Sequence, residues 1–284
     1  MVKLICGDAL TVLRELQDGE IHLTVTSPPY YISRGKSWSP YGTHPQDIEL
    51  LTTYEEYLAY LEEVFARIFE LTCAGGRLCI VIDDIHRRGE KGKLERAQPT
   101  HAELVCRLVR RGWLYKGLVV WTKIRKAHAS GGATALLGSY PYPPNIPIIQ
   151  QFEFILLFQK EGKRKRPPKD LLEKSKISWD EFVQYASTGV WHIQPTPKRL
   201  CSLPFPLEIP YRLIKLFSFV GDTVLDPFMG SGTTGVAAKI LERNFIGIEL
   251  YPQFFEIAKQ RIETTLLGDN AIGTYTLEDL EANK

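Results

Sequence analysis

The chain has 284 residues, 44% of them hydrophobic, 24% charged and 11% aromatic. These are values of an ordinary globular protein and disfavour disorder, collagen-like repeats and a membrane protein. Thirty-five Lys/Arg against 33 Asp/Glu give a net charge of +2, which as a chain average argues against a nucleic-acid partner.

Val2 to Cys6 reads as a strand and Gly7-Asp8 as the turn that closes it. A short helix follows from Asp8 to Gln17, then a β-branched strand from Ile21 to Thr26, which Ser27-Pro28-Pro29-Tyr30 ends abruptly. Residues 31–53, rich in Ser, Gly, Pro and Tyr, read as an irregular loop. Thr53 and Glu56 form a capping-box pattern ahead of a helix that runs to about Leu71, with Tyr57, Leu58, Leu61, Phe65 and Ile68 on one face. Gly75-Gly76 is expected to stop that helix before the strand Arg77 to Ile82. A helix from Thr100 to Arg111 and strands at Tyr115 to Thr122 and Phe152 to Phe158 come next, with a long loop between the two strands. Residues 161–197 are basic, then mixed, and end in Trp191-His192-Ile193-Gln194-Pro195, with no element assigned to them. Pro206 to Phe217 reads as a helix, Thr223 to Leu225 as a strand, Thr233 to Glu242 as a helix, Phe245 to Glu249 as a strand, and 252–266 as a final amphipathic helix. Alternating strands and helices mean an α/β fold with a mostly parallel sheet.

Five scattered cysteines without a C-x-x-C pair argue against a disulfide framework and a cysteine-rich zinc site. No signal peptide and no membrane-length apolar run is visible, so a cytoplasmic protein is expected. No metal site is expected either: Asp83-Asp84 reads as a cap or loop element, and His101 and His192 lack partners at metal or triad spacing. Trp38, Tyr41, Tyr140 to Pro144 and Trp191 are aromatics that serve equally well as loop anchors or as stacking surfaces for bases.

Two turns carry chemistry. Asp226-Pro227-Phe228-Met229-Gly230-Ser231-Gly232-Thr233-Thr234-Gly235 lies between a strand and a helix and contains G-x-G-x-x-G. Its glycines let backbone approach a ligand, the helix start offers free N–H groups, and Glu249, 19 residues after Gly230, can accept from a ribose diol. An adenosine-type cofactor follows, either a nicotinamide dinucleotide or S-adenosylmethionine. Asp226 is the nearest charge, and a carboxylate suits the methionine ammonium better than a pyrophosphate.

The second turn, Ser27-Pro28-Pro29-Tyr30, ends a strand where ligands bind in open α/β sheets. Its prolines are rigid and leave carbonyls free. The Ser27 hydroxyl and Pro28 carbonyl can accept both hydrogens of one amine, while Tyr30 offers a ring on which a base stacks.

Together the two turns resemble those of the DNA amino-methyltransferases, which modify cytosine N4 or adenine N6. The order, catalytic motif first and cofactor loop some 200 residues later, resembles the β group, a circular permutation of the usual methyltransferase. The resemblance implies a Rossmann-like sheet with helices on both faces, S-adenosylmethionine as methyl donor, and Ser27, Pro28, Pro29 and Tyr30 as catalytic residues. It assigns Asp8, Ser202, Phe205, Asp226, Pro227, Phe228, Gly230, Ser231, Gly232, Thr233 and Glu249 to the cofactor. Residues 1–124, 151–160 and 198–270 would form the catalytic domain, 125–150 and 161–197 the target-recognition region, and 271–284 a tail. A serine at the first motif position is typical of cytosine-N4 enzymes, an aspartate of adenine enzymes.

Duplex DNA is then the expected partner, and a homodimer and a separate cognate restriction endonuclease are compatible with it. A nicotinamide oxidoreductase leaves Ser-Pro-Pro-Tyr unexplained, and methyltransferases of protein glutamine or RNA usually place the cofactor motif first. Charge distribution agrees with DNA. Residues 86–176 hold 20 Lys/Arg and 7 Asp/Glu, a local net of +13, against −11 elsewhere. Lys163-Arg164-Lys165-Arg166 is the densest run, and it reads as part of a phosphate-binding surface.

Overall fold

The structure is a computed structural model and describes residues 1–31, 46–48, 51, 53–87, 96–123, 139, 141–144, 146, 148, 150–195 and 206–266. Ten strands and eight helices are found among these residues. Eight strands form one sheet in the order β1 (Val2–Cys6), β10 (Asn244–Glu249), β9 (Thr223–Asp226), β2 (Ile21–Thr26), β3 (Thr72–Ile82), β7 (Phe152–Gln159), β6 (Leu114–Thr122), β8 (Val190–His192). The first five run parallel, β7 is antiparallel to both its neighbours, and β8 pairs parallel with β6. The remaining two strands, β4 (Ile85–Arg87) and β5 (Arg96–Gln98), make a small hairpin of their own.

Helices cover both faces, as expected of a sheet whose strands are apolar on both sides. On one face α1 (Ala9–Glu15), α2 (Tyr54–Leu71) and α3 (Thr100–Arg110) pack with Leu13, Leu58, Phe65 and Leu104 against Leu78, Ile80 and Phe158. The opposite face is covered by α6 (Glu208–Phe217), α7 (Thr233–Ile240) and α8 (Pro252–Thr264), whose Leu213, Ala237 and Ile262 meet Leu23, Val81 and Val224. The capping box at Thr53 and Glu56 is present, with both reciprocal bonds made. No described helix is long and apolar enough to cross a membrane.

Three elements differ from the sequence reading. Gly75-Gly76 does not separate helix from strand: β3 begins at Thr72, directly after α2, and passes through both glycines. Gly75 has φ +73°, and a Cβ there would lie 2.8 Å from the Arg164 amide nitrogen, so the glycine serves a close crossing of two backbones rather than a stop. Residues 161–195 hold regular elements that the sequence reading did not assign. They contain α4 (Lys169–Lys174), α5 (Trp179–Ala186) and β8, and they place Trp191 in the core at 1% exposure. The Trp191 indole donates to the Tyr185 carbonyl at 3.1 Å, which gives this residue a packing role. The third element is the β4–β5 hairpin, whose strands of three residues are too short to register as periodicity.

Charge is also distributed differently from the linear count. Three arginines of the basic middle pair with acids of the remainder, and one of its lysines is taken up by backbone carbonyls. Arg107 pairs with Glu55 and Glu62, and Arg111 with Glu62. The Lys160 ammonium donates to the Phe69 and Thr72 carbonyls at the end of α2. Arg164 forms a bidentate pair with Asp222 at 2.7 and 2.8 Å and reaches the His22 carbonyl. His22 and Asp222 lie at the N-terminal ends of β2 and β9, while Ser27 and Pro227 lie beyond their C-terminal ends. At about 3.3 Å per residue, the densest basic run is therefore roughly 16 Å from the catalytic turn along β2, at the opposite end of the sheet. Reversing the exposed charges Lys163, Lys165 and Arg166 to Glu is expected to change affinity for a short duplex carrying one target less than about threefold. Its salt slope should be unchanged, because phosphates outside the footprint release no counterions. Fluorescence anisotropy at several salt concentrations checks this.

Candidate active site

The strand order reverses between β9 and β2: from β9 the chain proceeds through β10, whereas β2 leads to β3 on the other side. Such a switch point opens a crevice at the C-terminal strand ends. Both chemistry-bearing turns leave the sheet there, Asp226-Pro227 from β9 and Ser27-Pro28 from β2. The structure thus brings together two motifs 200 residues apart.

The Gly-rich turn is held from both sides. Asp226 is 1% exposed and accepts three hydrogen bonds, from the Thr26 hydroxyl at 2.7 Å, the Thr234 hydroxyl at 2.6 Å and the Phe228 amide at 3.1 Å. Burial pushes its carboxyl up to about 6, with the Thr234, Thr26 and Phe228 donors opposing the rise. Glu249, at the end of β10, accepts from the Gly230 amide at 2.8 Å and the Tyr251 amide at 2.9 Å. Its carboxyl is also raised, first by burial. A carboxylate has about four lone-pair sites, so two backbone donors leave it capacity for a diol.

The glycines divide their work. Gly232 caps α7 at φ +84°, and a Cβ there would lie 2.9 Å from the Ala258 Cβ of α8. Gly230, at φ +53°, has nothing within 4 Å of the position a Cβ would take, so the turn has open space beside it on which a ligand can lie. Arg261 of α8 pins Ser231 by its carbonyl and its hydroxyl, and reaches the Thr233 hydroxyl at 3.5 Å. Open backbone at Gly230, a helix start and a diol acceptor at Glu249 fit an adenosine-type cofactor. Asp8, beyond the end of β1, caps α1 through Thr11 and accepts from the Tyr60 hydroxyl at 2.6 Å. Burial alone would raise its carboxyl, but the bonds from Tyr60 and Thr11 outweigh it and keep the group below its ordinary value. Ser202 and Phe205 lie outside the described residues, as do Trp38, Tyr41 and Tyr140.

On the catalytic turn, Pro28 is buried, and Ser27, Pro29 and Tyr30 are half-buried. The Pro29 carbonyl accepts from the Tyr57 hydroxyl at 3.0 Å. The Tyr30 hydroxyl donates to Glu153 of β7 at 3.2 Å, and Glu153 forms an ion pair with Lys123. Burial raises the Tyr30 phenol far above its ordinary value, the Asp83 charge adds to this, and the Ser27 hydroxyl opposes it. Tyr30 is therefore a fixed neutral ring, not a proton donor that turns over at neutral pH.

Sequence reasoning missed Glu153, Tyr57 and Tyr60. Glu153 had a signal: a carboxylate inside the apolar run Phe152 to Phe158 must have a partner, because burying it unpaired is too costly. Replacing Glu153 by Gln keeps one acceptor and removes the charge that balances Lys123. The expected cost is about 1–3 kcal/mol in urea unfolding, with methyl transfer slowed roughly tenfold through the loosened Tyr30. His101 does have a partner. Its Nδ1 lies 2.6 Å from Asp84 Oδ1, and its ring stacks on Phe154 with centroids 4.0 Å apart. Asp84 also accepts from the His101 amide at 3.2 Å in the first turn of α3, which is the capping role expected of it. Among the described residues no group of three or more His, Cys, Asp or Glu could hold a metal ion.

Comparison with known proteins gives a consistent outcome. The family model described as DNA methylase, of N6/N4 type, matches residues 21–260. A Type II methyltransferase of Methanothermobacter thermautotrophicus, M.MthZI, is 33% identical over 94% of this chain and 78% of its own length. Another, M.MjaI of Methanocaldococcus jannaschii, is 32% identical over 92% and 90%. Among solved structures, a putative DNA modification methylase from Thermus thermophilus, complexed with S-adenosyl-L-methionine, superposes with a TM-score of 0.74 at 32% identity, covering 92% of this chain and 93% of that one. The cytosine-N4-specific PvuII DNA methyltransferase shares the fold at a TM-score of 0.67 and 17% identity, with 96% and 90% of the two chains covered.

Proposed function

The chain belongs to the N6/N4 DNA methylase family, and from that premise we propose that the base it methylates is cytosine, at N4. It is a site-specific DNA methyltransferase that uses S-adenosylmethionine, which decides between the two cofactors compatible with the Gly-rich turn. The observation that carries the proposal is the Ser27-Pro28-Pro29-Tyr30 turn standing at the mouth of the same crevice as the Gly-rich turn, with a serine at its first position.

S-adenosylmethionine supplies an electrophilic methyl group on a sulfonium. The chain's residues do the rest. Glu249 accepts from the ribose diol, Asp8 meets the adenine, and the open backbone at Gly230 receives the body of the cofactor. The target base leaves the duplex, since its amine is out of reach inside the stack. Tyr30, held by Glu153, forms the surface on which it lies. The Ser27 hydroxyl and the Pro28 carbonyl accept the two amine hydrogens. This holds the nitrogen lone pair toward the methyl group rather than in the plane of the ring. As the new C–N bond forms, the C–S bond breaks, and the amine releases one proton. No covalent bond between enzyme and base is needed.

The Type II designation of the relatives makes a restriction endonuclease of the same specificity the expected functional partner. The test is to incubate the protein with methyl-labelled cofactor and unmethylated DNA, then separate the nucleosides. Label in N4-methylcytosine is expected. Label in N6-methyladenine would move the target to adenine, and label only in 5-methylcytosine, or none in any DNA, would refute the amine mechanism.

A further inference from the structure

The parallel pairing of β2 with β9 covers Leu23↔Val224 and Thr24↔Leu225 and then stops. Beyond it the strands part at the crevice, and the next tie between them is a side-chain bond, Thr26 Oγ1 to Asp226 Oδ1 at 2.7 Å. Thr26 is fully buried, in a strand position where Val would pack as well. A buried hydroxyl is costly unless it is bonded, so its one evident use is this bond. The acceptor is also central to the cofactor turn. The same Asp226 carboxylate takes the Phe228 amide within that turn and the Thr234 hydroxyl of α7. Thr26 directly precedes Ser27, so one carboxylate ties the start of the catalytic turn to the body and the exit of the cofactor turn.

We propose that Thr26 is a positioning residue: through Asp226 it latches the Ser27 turn to the cofactor turn, so that binding of S-adenosylmethionine sets the amine acceptors in register with the methyl group. The latch rests on the assignment of Ser27 to the acceptor turn. It also gives Asp226 a second role, as the joint between two motifs, since three hydrogen bonds from the chain itself converge on its carboxylate.

The test compares Thr26→Val, which keeps shape and loses the hydroxyl, with Thr26→Ser, which keeps it. Single-turnover methyl transfer to DNA at saturating cofactor, cofactor affinity by titration calorimetry without DNA, and thermal unfolding are read for each. Thr26→Val is expected to slow transfer about 10–100-fold, as small misplacements at a reacting centre do, and to weaken cofactor binding several-fold. Thr26→Ser should stay within about threefold of the parent in both. In the cycle with Asp226→Asn, the double variant should be no slower than the slower single one, because both break the same joint. A Val variant that melts earlier but transfers and binds as the parent does would overturn the latch, as would a Ser variant as slow as Val. Multiplying effects in the cycle would also count against it, and Thr26→Ser and Asp226→Asn carry the comparison should Thr26→Val fail to fold. Absence of transfer by the parent protein would instead tell against the methylation reading, and the calorimetric arm would still judge the latch without DNA.

Discussion

Replacing Ser27 by Ala is expected to slow methyl transfer by about 100-fold or more while cofactor affinity stays within roughly threefold. The turn itself should survive. Pro28 and Pro29 restrict the backbone independently of the Ser27 side chain, the Tyr57 hydroxyl holds the Pro29 carbonyl, and Thr26 anchors the preceding residue. What disappears is one of two acceptors for the amine. An amine held by a single acceptor can rotate back into conjugation with its ring, and misorientation of a reacting group readily costs a hundredfold. Ser27→Asp restores an acceptor and should recover part of the rate. Single-turnover kinetics at saturating cofactor, beside calorimetric titration of the cofactor, separate the two quantities. A Ser27→Ala enzyme as fast as its parent would remove Ser27 from the chemistry.

Glu249→Ala should act on the other quantity. The carboxylate receives the Gly230 and Tyr251 amides and is placed to take the ribose diol. Hydrogen bonds to a charged group contribute about 1.5–3 kcal/mol each, so losing the diol contacts and the brace on the Gly-rich turn should weaken cofactor binding by at least about 100-fold, or roughly 3 kcal/mol. Glu249→Gln, which retains one carbonyl acceptor, should fall between Ala and the parent. Calorimetry measures both, and a thermal melt distinguishes weakened binding from a chain that no longer folds. An unchanged dissociation constant in the Ala variant would place the diol elsewhere.

The two predictions draw on different kinds of information. Ser27 and the glycines were legible because proline and glycine act on their own backbone: they state where a chain must turn and where a ligand can approach, whatever surrounds them. The same local character made the strand–helix alternation readable, and with it the α/β class, while the Gly-rich turn narrowed the cofactor to an adenosine type without separating a nicotinamide dinucleotide from S-adenosylmethionine. Residues 161–197 were not legible. The short α4, α5 and β8 take their order from Trp191 entering the core and Lys215 pairing with Glu181, not from any repeat of their own.

By itself, then, the sequence determined the fold class, the two turns and the family they resemble. Only the tertiary structure decided which side chains face each other. Glu153 meets Tyr30 across 123 positions and Thr26 meets Asp226 across 200, because strand order in a sheet with crossovers is not chain order. It also decided what the charges do. A count along the chain has no direction: Arg107 folds onto Glu55 and Glu62 and ties α3 to α2, while Lys160 and Arg164 fold onto the end of α2 and Asp222 at the end of the sheet away from the crevice. Local dihedral preference is written residue by residue; the pairing of distant side chains is a property of the packed sheet.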